Sequence, residues 1–268
     1  VKPYSSRVQV FTPRTLEEAL RLKSEQPNAV PIQGGTDLMV ALNFDRRRPE
    51  VVLNLNEVAE LRGWSRAEGA VRLGSGLTYA QAMQGDLAAF FPALAEASRT
   101  VGSPQIRNRG TIGGNLATAS PAGDAVAPLI IDGAEVECVS VRGSRRVPVG
   151  EFITGVKRTV LADDELIVAV WVAPSGSAQT FMKVGPRNAM VIAVVSLALS
   201  AGDELRASFG SAGPRPVLVT APRGEAATFP SLVAAAASPI DDVRGSAAYR
   251  RHALEVLTRR ALERTLVA

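Results

Sequence analysis

The strongest constraint in this chain is a pair of glycine-rich loops set in separate α/β units. The first, Ile32-Gln33-Gly34-Gly35-Thr36-Asp37, follows the short apolar run Ala29-Val30-Pro31-Ile32. The second, Gly110-Thr111-Ile112-Gly113-Gly114-Asn115, holds three glycines in five residues, beside a hydroxyl and an amide. Adjacent glycines permit positive φ angles and let the backbone approach a ligand closely. Successive N–H groups can then converge on an anion, and Thr36 and Thr111 add hydroxyls. Alone, the first loop reads more simply as a tight turn. Two such loops, one per unit, suit a diphosphate better than a single phosphate. Neither is a Rossmann fingerprint, since G-x-G-x-x-G is absent, and neither is a Walker loop, since no Gly-Lys-Ser/Thr occurs. After the second loop, Leu116 to Asp124 runs with small side chains, which suits a segment lying flat against a ligand.

The rest of the pattern frames these loops. Thr15-Leu16-Glu17-Glu18 is a capping box that opens a helix ending near Gln26-Pro27. Leu38–Phe44 reads as a short helix closed by the charged turn Asp45-Arg46-Arg47-Arg48-Pro49, and Val51–Leu55 as a strand. Trp64–Glu68 and Ala70–Gly74 form a hairpin pattern turning at Glu68-Gly69, and Thr78–Gln81 is a second capping box. Leu87–Arg99 has helical spacing; Ala134–Val141, Arg145–Val149 and Glu165–Val172 read as strands. The best boundary is the linker Ala173-Pro174-Ser175-Gly176-Ser177. Beyond it, Gln179–Val184, Val191–Ala201 and Glu204–Gly210 are expected to be antiparallel strands, followed by a helical tail.

Composition removes several function classes. The 30 Lys and Arg nearly balance 26 Asp and Glu, aromatics are 5%, and no basic run is interleaved with aromatics, so nucleic acid is not an expected partner. With one cysteine, Cys138, and one histidine, His252, the chain cannot form an internal disulfide or build an iron–sulfur cluster or thiolate zinc site by itself. Cys138 sits in an alternating strand and reads as core; His252 reads as structural. The apolar stretch Ala189–Ala201 is too short to span a membrane. Val1-Lys2-Pro3-Tyr4 leads to no apolar run, so no signal peptide is expected and the location is expected to be cytoplasmic.

Three segments together resemble one family. They are the Ile32–Asp37 loop, the run Gln105-Ile106-Arg107-Asn108-Arg109 leading into Gly110–Asn115, and Ser120-Pro121-Ala122-Gly123-Asp124. They look like the FAD-binding medium subunit of the molybdenum hydroxylases, the group of xanthine dehydrogenase and carbon monoxide dehydrogenase. Lys183–Met190 and Tyr249-Arg250-Arg251-His252 are similar to that family's C-terminal domain, so the likeness runs along nearly the whole chain in order. Thr118–Pro121 looks more like the xanthine branch. The resemblance implies an α+β chain with a PCMH-type (vanillyl-alcohol-oxidase-like) FAD-binding fold. Its two α/β subdomains would be residues 1–57 and 58–173, and a C-terminal domain, 178–268, would hold a three-stranded antiparallel sheet with helices.

By the same resemblance, Ile32, Gln33, Gly34, Gly35, Thr36 and Asp37, with Gly110, Thr111, Gly113, Gly114 and Asn115, would hold the FAD diphosphate. Val101 and Gly102 would lie near the flavin, Asp124 near the ribityl or ring region, and Ser120 would also bind the cofactor. Leu166 or Ile167 would touch the isoalloxazine edge, and Lys183 would stand where a cation stabilises reduced flavin. The FAD would be non-covalent. Other readings stay open: Asp124 suits the N-cap of a helix over Ala125–Ile131, Lys183 could be a solvated strand residue, and Arg107 and Arg109 could pair with phosphate or with surface carboxylates.

As implied function, the chain would take electrons from [2Fe–2S] clusters of a small partner subunit. A large partner subunit would hold the molybdenum cofactor, and the acceptor would be NAD, oxygen or another carrier. A self-contained FAD oxidoreductase of the same fold, or a non-catalytic nucleotide-binding scaffold, are the alternatives.

Overall fold

The computed structural model describes residues 8–67 and 69–266. The expectations that rest on Val1–Tyr4 and on Glu68 lie outside the described residues. The first sheet is built from β1 (Gln9–Phe11), α1 (Leu16–Glu25), β2 (Val30–Ile32), α2 (Leu38–Asn43) and β3 (Val51–Asn54). Its order is β1-β3-β2, with both pairings parallel. Thr15 caps α1 by accepting from Glu18 N at 3.2 Å, while the Glu18 carboxylate reaches Arg14 N instead of closing the box on Thr15. Pro27 follows the C-cap Gln26, as a residue unable to continue the helix should.

The second sheet and its helices follow. They are β4 (Trp64–Ala67), β5 (Ala70–Gly74), α3 (Tyr79–Ala82), α4 (Gly85–Phe90), α5 (Pro92–Thr100), α6 (Pro104–Arg109), α7 (Ile112–Thr118) and α8 (Val126–Ile131). Next come β6 (Glu135–Ser140), β7 (Gly143–Pro148), α9 (Val149–Phe152), the small hairpin β8 (Ile153–Gly155) and β9 (Arg158–Thr159), and β10 (Leu166–Val172). The five-stranded order is β4-β5-β10-β6-β7. The helix expected over Leu87–Arg99 is two helices. Pro92 has no N–H to continue α4 and occupies the first turn of α5, where that N–H is not needed.

Strand β10 is shared between two cores. Leu166 and Val168 face Ala19, Leu22 and Leu53 of the first unit, and Leu61 just beyond it, whereas Ile167, Val170 and Val172 face the helices of the second. A register shift between Ile167 and Ala169 accounts for the change of parity along the strand.

The C-terminal part is an antiparallel meander with two helices: β11 (Ala178–Val184), β12 (Val195–Ala201), β13 (Glu204–Gly210), β14 (Leu218–Pro222), α10 (Phe229–Ala236) and α11 (Ala247–Leu266). Three strands were expected, and β14 is a fourth. It lies at the edge and ends in Pro222, opposite Glu204, where a missing N–H costs no ladder bond. The strand expected from Val191 begins only at Val195. Arg250, in the Tyr249–His252 segment, is buried and structural: it donates to Ser211 O and Asp242 Oδ1. Ser211 N in turn donates to Pro121 O at 2.7 Å, which pins the loop carrying Asp124.

Several contacts join the C-terminal sheet to the second unit. Phe181 and Ala198 pack against Ala93, Ala97, Ala127 and Ile131, and Gln179 Nε2 donates to Asp132 Oδ1. Burial pushes the Asp132 carboxyl up from 3.8 to about 7, against the Gln179 hydrogen bond and the Arg206 charge. The folded protein therefore keeps a proton that the unfolded chain releases near pH 3.8. This stabilisation is complete below that pH, is lost as pH rises to about 7, and is level above. Asp132→Asn is expected to remove that part of the slope, so urea midpoints at mildly acidic and mildly basic pH should differ less in the variant than in the unsubstituted protein. Equal slopes in both would rule the residue out.

Candidate functional site

The two glycine loops touch backbone to backbone. A Cβ on Gly34 would overlap Arg109 O, and Gly110 Cα lies 3.2 Å from the same point. Only glycine lets the first loop sit this close to the second. Gly35 follows with φ +76°, a left-handed turn into α2. Arg109 Nη2 closes the contact by donating to Gln33 O (3.2 Å) and Asn56 Oδ1 (3.4 Å). Asp37 makes a second tie: its Oδ2 accepts from Thr118 Oγ1 at the far end of α7 (3.2 Å). Gly34→Ala should force the loops apart and cost about 1–3 kcal/mol by overpacking, read as a lower denaturant midpoint together with weaker FAD binding. An unchanged midpoint would mean that the loops do not depend on this contact.

The second loop rests on the segment after β5. Gly113 N donates to Ser75 O and Ile112 N to Leu77 O, both at 2.9 Å, and Tyr79 N donates to Gly110 O at 3.1 Å. A Cβ on Gly113 would meet Ser75 Cβ at 2.6 Å. Thr111 is the N-cap of α7, its Oγ1 accepting from Gly114 N at 3.0 Å. Gly114 differs from its neighbours. It is exposed, and a Cβ there would meet only the Thr111 hydroxyl, at 2.9 Å. The fold thus accounts for Gly34, Gly35 and Gly113, and leaves Gly114 with an open face.

Gln33, Gly34, Gly76, Thr78, Arg109 and Thr111 line one cleft of about 470 Å³, with Asn56, Gln81, Asn108 and Arg62 adding amides and a second guanidinium, and Glu57 one carboxylate at its wall. Both loops therefore border the same space, as a shared diphosphate requires.

A second group of expected residues lies past α7. Lys183 Nζ, on β11, donates to Asp124 Oδ2 at 2.7 Å and to Thr100 O at 3.3 Å. Both side chains of this ion pair are buried. Burial pushes the Asp124 carboxyl above its usual range, and the adjacent ammonium opposes this. Asp124 Oδ1 is buried with no partner, and so is Asn115 Oδ1. The capping alternative for Asp124 does not hold, since α8 is capped by Ala125 without a side-chain bond. Gly102 has φ +43° and packs on Ile106, while Arg107 Nη1 donates to Val101 O (3.1 Å) and Gly102 O (3.0 Å). Arg107 thus shapes this turn. Ser120 Oγ accepts from Ala122 N in the turn before Asp124. Leu166 and Ile167 are not brought in: their side chains are 2% and 7% exposed and belong to the two cores that share β10.

Tyr79 was not among the sequence candidates. Its ring packs against Gly110, and burial, helped by Asp124 and Asp37, pushes the phenol far above its ordinary range. A tyrosine on the buried side of a short helix carries no signal that separates it from core. Ser75 and Gly76 were missed for a similar reason: Ser75 receives Gly113, and Gly76 leaves room for the Gln33 side chain.

Residues 6–174 match the family described as the FAD binding domain in molybdopterin dehydrogenase. The xanthine dehydrogenase FAD-binding subunit of Escherichia coli O157:H7 is 32% identical, over 95% of this chain and 94% of its own length. The nicotine 6-hydroxylase medium subunit of Paenarthrobacter nicotinovorans is 31% identical, over 95% and 96%. Among solved structures, reconstituted CO dehydrogenase from Oligotropha carboxidovorans superposes with a TM-score of 0.91 at 25% identity, covering 97% of this chain and 98% of that one. The chain belongs to the FAD-binding medium subunits of the molybdenum hydroxylases, with their PCMH-type fold, and is the flavoprotein part of an oxidoreductase.

Proposed function

We propose that this chain is the electron-transfer subunit of a heteromeric molybdenum hydroxylase, taking electrons from a partner's [2Fe–2S] clusters and passing them through FAD to NAD, oxygen or another carrier. The observation that carries it is the buried Asp124–Lys183 pair beside the interlocked loops, with one carboxylate oxygen left unpartnered. The site fits FAD on three counts: the open face of Gly114, the cleft shared by both loops, and the orphan acceptors Asp124 Oδ1 and Asn115 Oδ1. Backbone of Gln33–Thr36 and Thr111–Asn115 would hold the diphosphate, and Asp124 Oδ1 and Asn115 Oδ1 would accept from cofactor hydroxyl or N–H groups. Lys183 would place a buried positive charge near the ring, and Val101–Gly102 would border it.

FAD supplies the ability to accept electrons singly and release them as a pair. The chain's part is to bind it, set its potential and exclude water. Among the described residues no His, Cys, Asp or Glu cluster suits a metal ion, and no helix is long and apolar enough to cross a membrane. The test is gentle purification from native cells, followed by assay of acid-released flavin, iron and molybdenum. All three, together with rapid flavin reduction by the hydroxylase substrate, are expected. Full substrate oxidation by the flavoprotein alone would favour a self-contained oxidoreductase, and a colourless protein that cannot be reconstituted would leave a scaffold.

A further inference from the structure

Tyr79 stands inside the site, and the cofactor reading above gives it no task. It opens α3 directly after the cap Thr78. Its N–H donates to Gly110 O at 3.1 Å, and Thr78 forms an isolated β-bridge with Thr111. A Cβ on Gly110 would meet the ring at Cδ2 and Cε2, both 3.2 Å away. The ring is thus clamped against the second glycine loop and is 5% exposed. Asn115, Asp124 and Asp37 all lie close enough to act on the titration of the phenol. Burial keeps it protonated, so it stays a neutral O–H donor.

The hydrogen of that donor is not spent on these neighbours. Asn115 Oδ1 and Asp124 Oδ1 are buried without partners, and the bond of Asp37 is to Thr118. Two unused acceptors and one phenol therefore stand together, from α7, the turn before α8, and α3. Buried polar groups without partners call for an unseen one, and hydrogen-bonding capacity says which part of FAD it is. Diphosphate oxygens have no hydrogen to give the two acceptors. The oxidised ring has a single N–H. Adjacent hydroxyls, each able to give and to accept, suit all three groups. FAD carries such hydroxyls on its ribityl chain and on its adenosine ribose. Asp124 favours the ribityl chain: its other oxygen is held by Lys183, the cation assigned to the ring, while Asn115 belongs to the diphosphate loop.

We propose that Tyr79 is a further FAD-binding residue, its phenol donating to one ribityl hydroxyl while the adjacent hydroxyls donate to Asn115 Oδ1 and Asp124 Oδ1. This rests on the FAD site described above.

The test titrates the full chain, stripped of flavin, with three kinds of ligand before and after Tyr79→Phe. They are FAD, FAD analogues lacking one ribityl hydroxyl, and FAD analogues lacking one adenosine-ribose hydroxyl. Phenylalanine keeps the ring against Gly110, so the denaturant midpoint of the apoprotein should not move. FAD affinity should fall about tenfold, equivalent to about 1.4 kcal/mol. One ribityl analogue should bind the unsubstituted chain about tenfold more weakly than FAD and lose nothing further in the variant, because its partner is already gone. FAD affinity within about twofold of the unsubstituted value, or an equal loss from Tyr79→Phe with every ribityl analogue, would overturn the proposal. Coupling to a ribose analogue instead would move the phenol to the adenosine end and overturn the ribityl assignment. No binding of FAD by the unsubstituted chain would refute the cofactor site itself, and the role of Tyr79 with it.

Discussion

Gly114→Val should give a folded protein without flavin. The expectation of a folded chain comes from the neighbours of Gly114: a Cβ there meets nothing but the Thr111 hydroxyl. Displacing that hydroxyl removes the α7 cap, at a cost of about 1 kcal/mol, and replacing a helical glycine returns a few tenths of that. The expectation of lost flavin comes from the same geometry. A branched side chain would fill the one side of the loop that the protein leaves open, where the diphosphate would otherwise lie against the glycine backbone. FAD affinity should fall about a hundredfold or more, equivalent to about 2.8 kcal/mol. Circular dichroism and the denaturant midpoint check the first half, and titration of apoprotein with FAD checks the second. Gly150→Val, at an exposed glycine with nothing within 4 Å, is the control and should keep its colour. Stoichiometric FAD in the Gly114 variant would refute the cradle.

Lys183→Ala should retain FAD but lower its reduction potential and destabilise the fold. The cation removed is the partner of a buried carboxylate at 2.7 Å, and deleting one member of a buried pair typically costs about 3–5 kcal/mol. Without the ammonium, burial alone acts on Asp124, so its folded-state pKa rises further. A carboxyl with a raised pKa loses its contribution as pH climbs through that value, so the variant should be least stable at high pH and partly rescued at low pH. Lys183→Met with Asp124→Leu should recover stability while leaving the flavin potential shifted and FAD more weakly held, because the orphan acceptor goes with the carboxylate. A normal potential in both variants would place Lys183 outside the site. Recovery of stability and potential together in the double variant would make the pair purely structural.

Much of the architecture could be read from local signals. The caps at Thr15 and Thr78, the glycines after β2 and before α7, and the Pro-Ser-Gly-Ser linker each act within a few residues, and each stands where the sequence puts it. Signals that depend on distant partners were not legible. Asp124 and Lys183 are 59 residues apart, and the spacing that brings β11 beside the end of α5 is written in no periodicity. Strand β14 alternates only over five residues and ends in proline, so it looks like loop until β13 is beside it. Leu166 or Ile167 was expected at the isoalloxazine edge from the family resemblance, and no local signal told that their side chains fill two cores, one on each side of β10. The roles of Gly34 and Gly113 were read as room for a ligand, yet the fold needs both against its own backbone.

That self-contact has a consequence for how the cofactor arrives. The meeting of Gly34 with Arg109, together with the Asp37–Thr118 bond, holds the two loops in register through protein atoms alone. The conformational entropy of the receptor is therefore spent during folding and not charged again when FAD binds. The empty chain should be a durable receptor that takes up FAD in one bimolecular step, independent of the order in which the other subunits are made.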